Sequence, residues 1–98
     1  MEIVFLDERL VWLFTDRPEQ SGVPPTLIQS LRRKLHFIKN APDERTLREW
    51  KSLHYEKLKG DRAGQRSIRL NDRMRLVFEI DDQSRPPKAR IHGVEDYH

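Results

Sequence analysis

Seven basic residues fall between Lys57 and Arg75 (Lys57, Lys59, Arg62, Arg66, Arg69, Arg73 and Arg75), against only Asp61 and Asp72. Residues 1–50 hold eight basic and eight acidic side chains, so the excess behind the formal net charge of +3 is local. A local cluster of guanidinium and ammonium groups suits a polyanion such as RNA, whereas a dispersed excess of this size is ordinary for a soluble domain. The chain has no cysteine, which excludes disulfides, thiol nucleophiles and cysteine-ligated zinc and suits a reducing cytoplasm. His36, His54, His92 and His98 are scattered without metal-ligand spacing, so neither a metal nor another cofactor is expected.

These cations need a frame. The chain of 98 residues suffices for one domain, read as residues 1–98, with a single modest core. Residues 2–6 form an apolar run suited to a strand. Leu6, Leu10, Leu13 and Phe14 then recur at helical spacing, with Asp7 as N-cap, predicting a helix over 7–16. A loop follows over 17–22. Pro24-Pro25-Thr26 opens a second helix whose Leu27, Leu31, Leu35 and Ile38 make one apolar stripe, ending near Asn40-Ala41-Pro42. Its other side carries Arg32, Arg33 and Lys39, read as a solvated face. A short helix over 43–50 would turn Leu47 and Trp50 inward. Strands are predicted over 53–58, 65–70, 74–80 and 88–95. The order gives an α+β domain, with two or three N-terminal helices on one face of a small antiparallel sheet. The acids of MEIVFLDERL do not suit a signal peptide, and no run approaches the ~20 apolar residues of a membrane span. A cytoplasmic protein without membrane association is expected.

The middle hairpin has a readable register. A two-residue turn at Asn71-Asp72 would mix apolar and charged residues on both faces. A three-residue turn, Asn71-Asp72-Arg73, pairs Leu70 with Met74 and Ile68 with Leu76, gathering the apolar side chains on one face. It also sets Arg69 opposite Arg75, Ser67 opposite Val77 and Gln65 opposite Glu79. Opposed like charges destabilise a sheet by roughly 0.2–1 kcal/mol. Either the positive face holds phosphate, or a nearby acid neutralises it, or both arginines fan into water. Gly93 marks a candidate bulge, because Val94 falls out of phase with Ala89 and Ile91.

Leu58-Lys59-Gly60-Asp61-Arg62, Gly64-Gln65-Arg66-Ser67-Ile68, Asn71-Asp72-Arg73-Met74-Arg75-Leu76-Val77-Phe78 and the terminal Glu95-Asp96-Tyr97-His98 occur in that order. With Ser21-Gly22-Val23-Pro24 ahead of the long helix, they resemble the HigB branch of the RelE/ParE toxin superfamily over nearly the whole chain. The resemblance implies a RelE-like fold and a ribosome-dependent mRNA endonuclease that uses no metal. It implies attack of a 2′-hydroxyl on the adjacent phosphate, leaving a 2′,3′-cyclic phosphate and a 5′-hydroxyl. The partners it implies are a cognate HigA-like helix-turn-helix antitoxin and the ribosome with mRNA in its A site. Two other readings of the same scaffold stay open: a ParE-like toxin acting on gyrase, and a non-catalytic basic binding module.

Carried over by position, the resemblance implies a catalytic set of Glu56, Lys59, Arg75, Asp96, Tyr97 and His98. Glu56, three residues before the motif lysine, is the candidate base, with His54 as substitute if both face one side of a strand. Arg75, placed on the open sheet face, stabilises phosphate; its removal is therefore expected to cost little folding stability. Tyr97 stacks on a base or donates a proton, and His98 acts as acid or base beside its own terminal carboxylate. Asp96 orients His98 or reads a base edge. Lys57, Arg62, Arg66, Arg69, Arg73 and His54 are the expected RNA-binding residues.

Overall fold

The apolar periods of the chain become five strands and two α-helices in a computed structural model that describes residues 1–96. The strands are β1 (Glu2–Phe5), β2 (Glu56–Lys57), β3 (Gln65–Arg69), β4 (Met74–Asp81) and β5 (Lys88–Asp96); the helices are α1 (Pro25–Asn40) and α2 (Glu44–Glu49). One sheet runs in the order β1-β5-β4-β3-β2. The α+β architecture follows the sequence expectation, with one departure in polarity. The expected antiparallel sheet is mixed, because β1 lies parallel to β5, Glu2 opposite Lys88 through Phe5 opposite Ile91. An apolar run reads the same in either direction, so its period cannot specify polarity.

Leu27, Leu31, Leu35 and Ile38 of α1 are buried against Ile68, Leu76, Phe78, Ala89 and Ile91 of the sheet, with Leu13, Leu47 and Leu53 closing the core. Each such side chain contributes roughly 1.5–3 kcal/mol through burial. Asp43 caps α2, its carboxylate accepting from the Thr46 N–H at 3.1 Å.

Three local expectations change. The helix expected over 7–16 is a 3₁₀ helix over Glu8–Phe14, with Asp7 as its cap. Leu10 and Leu13 are three apart, and a three-residue turn buries both on one side. The strand expected over 53–58 is reduced to Glu56–Lys57, because Lys51–Leu53 forms a 3₁₀ turn closed by His54 in the left-handed region at φ 48°. Trp50, expected inward, is 43% exposed and touches Phe37 edge-on at 4.1 Å between centroids.

The middle hairpin takes the three-residue turn. Ile68 lies opposite Leu76, Arg69 opposite Arg75, Ser67 opposite Val77 and Gln65 opposite Glu79. Asn71 Oδ1 closes the turn by accepting from the N–H groups of Arg73 and Met74 at 2.9 and 2.8 Å. In β5 the register slips: Phe78 faces Ile91 but Val77 faces Gly93, so His92 is the extra residue of a bulge. Gly93 at φ 142° provides the backbone conformation. The slip returns Val94 to the core side and sets Glu95 opposite Arg75, on the outer face. Among the described residues no helix is long and apolar enough to cross a membrane.

Candidate active site

Alternation on β3 and β4 sends Ser67, Arg69, Arg75 and Val77 to the sheet face turned away from α1. Arg75 does not stand out from it. The residue is only 8% exposed, correcting the expectation of an open-face arginine. Its Nε donates to Ser67 Oγ at 2.8 Å, and its Nη2 donates to the His54 carbonyl. Glu56 Oε2 lies 3.9 Å from the same Nη2. The reason is local: the left-handed His54 turns its carbonyl toward the sheet, and Ser67, itself buried, leaves room for a guanidinium to lie flat. His54 therefore serves Arg75 through its backbone. Its ring is exposed and does not follow Glu56 along a strand, which corrects the expected alternation.

The opposed arginines diverge. Arg69 bends back over the turn, donating to the Asn71 carbonyl at 3.2 Å and pairing with Asp72, while Arg75 leans the other way. Arg62, at the end of the 3₁₀ turn Gly60–Arg62, reaches Gln65 Oε1 on β3 at 3.0 Å and grips both oxygens of Glu95 on β5 at 2.7 and 2.5 Å. That path crosses β4, where Val77 is 2% exposed although it lies away from the helices. Hydrogen bonding to Glu95 holds the Arg62 guanidinium above its ordinary pKa. Arg73, exposed in the turn, pairs with Asp96 at 3.0 Å.

Not all the expected residues meet here. Lys57 alternates with Glu56 and opposes Arg66, which puts both on the helix side. Arg66 is tied to Glu44 at 2.7 Å and to the Tyr55 hydroxyl at 3.2 Å, and Tyr55 also donates to Glu44. Burial pushes Glu44 up, but the hydrogen bonds from Tyr55 and Arg66 outweigh it and leave the carboxyl below its ordinary range. Burial, then the Glu44 carboxylate, push the Tyr55 phenol well up. Lys59 is exposed just ahead of the Gly60–Arg62 turn. Tyr97 and His98 lie outside the described residues. The structure thus brings Glu56, Arg75 and Ser67 together on the face away from the helices, with the Arg62–Glu95 pair on the same face, whereas Arg73 and Asp96 pair beside Met74 at the hairpin turn. Sequence reasoning missed Ser67 and Glu95 as partners, although the hairpin register already placed Ser67 beside the arginines. A further pair, His92 Nε2 and Glu79 Oε2 at 2.6 Å, arises from the bulge. Among the described residues no three His, Asp or Glu side chains are grouped to hold a metal ion.

A family model described as the RelE-like toxin of the type II toxin–antitoxin system HigB matches residues 3–91. The chain is 32% identical over 79 residues to Toxin HigB-1 of Vibrio cholerae serotype O1, covering 81% of this chain and 83% of that protein. Its fold is similar to a YoeB/ParE toxin from Agrobacterium tumefaciens, with TM-score 0.63, 19% identity and full coverage of both chains. It is also similar to a chain of the YoeB–YefM complex from Staphylococcus aureus, with TM-score 0.60, 21% identity, and coverage of 100% of this chain and 97% of that one.

Proposed function

The chain belongs to the HigB-like family, RelE-like toxins of type II toxin–antitoxin systems, and from that premise we propose that it is a metal-independent endoribonuclease that cuts mRNA in the ribosomal A site. One observation carries the reading. A guanidinium, Arg75, is immobilised beside a carboxylate, Glu56, on the sheet face away from the helices, and the neighbouring strand β5 sets Glu95 opposite it.

In this reading Glu56 takes the proton of a 2′-hydroxyl, and the 2′-oxygen attacks the adjacent phosphorus. The bond from phosphorus to the 5′-oxygen breaks, and that oxygen takes a proton from the His98 imidazolium. The products are a 2′,3′-cyclic phosphate and a 5′-hydroxyl. Arg75 and Lys59 offset the charge gained by the phosphorane, a task for which a pre-positioned fork needs little reorganisation. Asp96 orients His98, and Tyr97 stacks on a base. Arg62 and Arg73 exchange the carboxylates of Glu95 and Asp96 for RNA phosphates as the message enters; Arg69, Arg66, Lys57 and the His54 ring contribute at longer range. The ribosomal target places the protein in the cytoplasm, and a cognate antitoxin of the HigA-like helix-turn-helix kind neutralises it.

Mapping mRNA ends in cells that express the protein, beside a Tyr97-His98 deletion and Glu56→Gln, tests this. Cuts within translated frames, with 5′-hydroxyl ends, are expected from the wild type and from neither variant. Growth arrest with intact mRNA and inhibited gyrase would replace the reading with a ParE-like one. Rapid cutting of naked RNA would refute the ribosome dependence.

A further inference from the structure

Arg62 uses all three of its guanidinium nitrogens inside the molecule. Nε donates to Gln65 Oε1 at 3.0 Å, while Nη1 and Nη2 donate to the two oxygens of Glu95 at 2.7 and 2.5 Å. Among the described residues, no other arginine from Arg62 to Arg75 grips both oxygens of one carboxylate; Arg66, Arg69 and Arg73 each reach a single oxygen. The pair lies on the face where the reaction is placed. Glu95 is directly opposite Arg75, and the path from Arg62 to Glu95 passes over β4 beside Val77.

A carboxylate and a phosphodiester offer an arginine fork the same ligand, one negative charge shared by two oxygens. Glu95 therefore fills, with matching charge and geometry, the seat that Arg62 would offer a message. The two sides of that seat are built differently. Gln65 belongs to β3 and holds the guanidinium from its Nε side, so the fork keeps its place when the carboxylate leaves. Glu95 follows the bulge of β5 and can leave: Arg62 and Glu95 are 43% and 40% exposed at the side chain, against 18% and 23% for Arg66 and Glu44. A clamp with a purely structural task would resemble the second pair.

Competition then decides which RNA is accepted. A tethered ligand acts at an effective concentration of roughly millimolar or more, which a free RNA at about micromolar concentration does not match. A message already held beside the site is itself a local ligand, and it exchanges with Glu95 on even terms. Given the RNA-cleaving reading above, on which this rests, we propose that Glu95 is a specificity-determining residue: its carboxylate occupies the phosphate seat at Arg62 and excludes RNA that no larger assembly has delivered.

Anisotropy of a labelled, short single-stranded RNA carrying 2′-O-methyl groups, which block attack by the 2′-oxygen, tests the seat without cleavage. The wild type, Glu95→Gln, Arg62→Gln and the double variant are compared over a potassium chloride series. Glu95→Gln is expected to bind about tenfold more tightly. Its slope of log K against log salt should be steeper by roughly 0.7, one added phosphate contact on a single strand. In the Arg62→Gln background the same substitution should gain far less. An equal gain in both backgrounds would make Glu95 one negative charge among others and overturn the proposal, as would no gain at all. Cleavage of naked RNA and of mRNA on programmed ribosomes supplies the second measurement. Glu95→Gln is expected to raise the ratio of the first rate to the second about tenfold. A parallel fall on both substrates would make Glu95 an anchor of β5 and overturn the proposal. Wild-type protein that cuts neither substrate would remove the ribonuclease reading, whereas the anisotropy outcome bears on Glu95 alone.

Discussion

Arg69 and Arg75 stand directly opposite each other across β3 and β4, yet their guanidinium groups never share a space. Arg69 folds back onto Asp72 in the turn, and Arg75 leans over Ser67 toward the His54 carbonyl. A like-charge pair is kept because each member has its own acceptor on a different side. Of the two, Arg75 is the buried one, held by fixed acceptors as a positioned charge for a reacting phosphate.

Removing one of those acceptors should expose the repulsion. Asp72→Asn is expected to cost about 0.2–1 kcal/mol, the range for opposed charges on a sheet, because the turn is solvated. Adding Arg69→Gln should recover most of that loss. Urea denaturation of the single and double variants measures it, and no recovery would assign Asp72 to the turn instead of the charge pair.

Arg75→Ala should lose cleavage and also destabilise the fold. Truncation leaves the Ser67 hydroxyl and the His54 carbonyl without their donor at a site only 8% exposed. A loss of about 1–3 kcal/mol is expected, a fall of several degrees in Tm for a domain of this size. Arg75→Lys keeps a charge but not the fork, so it should restore some stability and little activity. A wild-type Tm for Arg75→Ala would contradict the burial.

The Glu44–Arg66 pair gives the fold an acid-sensitive joint. The folded carboxyl titrates below its ordinary value. Its stabilisation is therefore complete above the ordinary glutamate range and is lost as pH falls through that range toward the lowered folded value. Glu44→Gln should have a lower Tm than the wild type at pH 7, with the difference shrinking as the pH falls through the ordinary glutamate range toward the lowered folded value. Thermal melts of both proteins from pH 7 down into the acid range check this; parallel curves would show that the pair is not coupled to folding.

Gly93→Ala should strain the bulge. A Cβ there would meet nothing within 4 Å, so the cost comes from φ 142° alone. About 1–3 kcal/mol is expected, with a larger effect on cleavage, because the bulge aims Glu95 at Arg62 and leads β5 to Asp96. Retained activity alongside reduced stability would separate the bulge from the site.

Much of this protein is local and therefore legible in its residues. The 4, 4, 3 spacing of Leu27, Leu31, Leu35 and Ile38 specifies α1, because neighbours on one helix face must bury together. The apolar sets on β3 and β4 admit one register, since a one-residue slip would turn every side chain over. Gly93 was visible as the point where alternation breaks. The ordered motifs through Asp96-Tyr97-His98 carried the family likeness.

Tertiary structure decided what no local period contains. The parallel entry of β1, the left-handed backbone of the non-glycine residue His54 and the exposure of Trp50 depend on how distant segments meet. The ion pairs do so most clearly. Glu44 finds Arg66 across 22 positions and Glu95 finds Arg62 across 33. Sequence counted seven cations in one segment as a single basic face. Folding paired each of its arginines with a carboxylate, and left α1 carrying cations without carboxylate partners among the described residues. Composition records how much charge a chain has, but a charge's effect depends on its nearest opposite, and only the fold sets that distance.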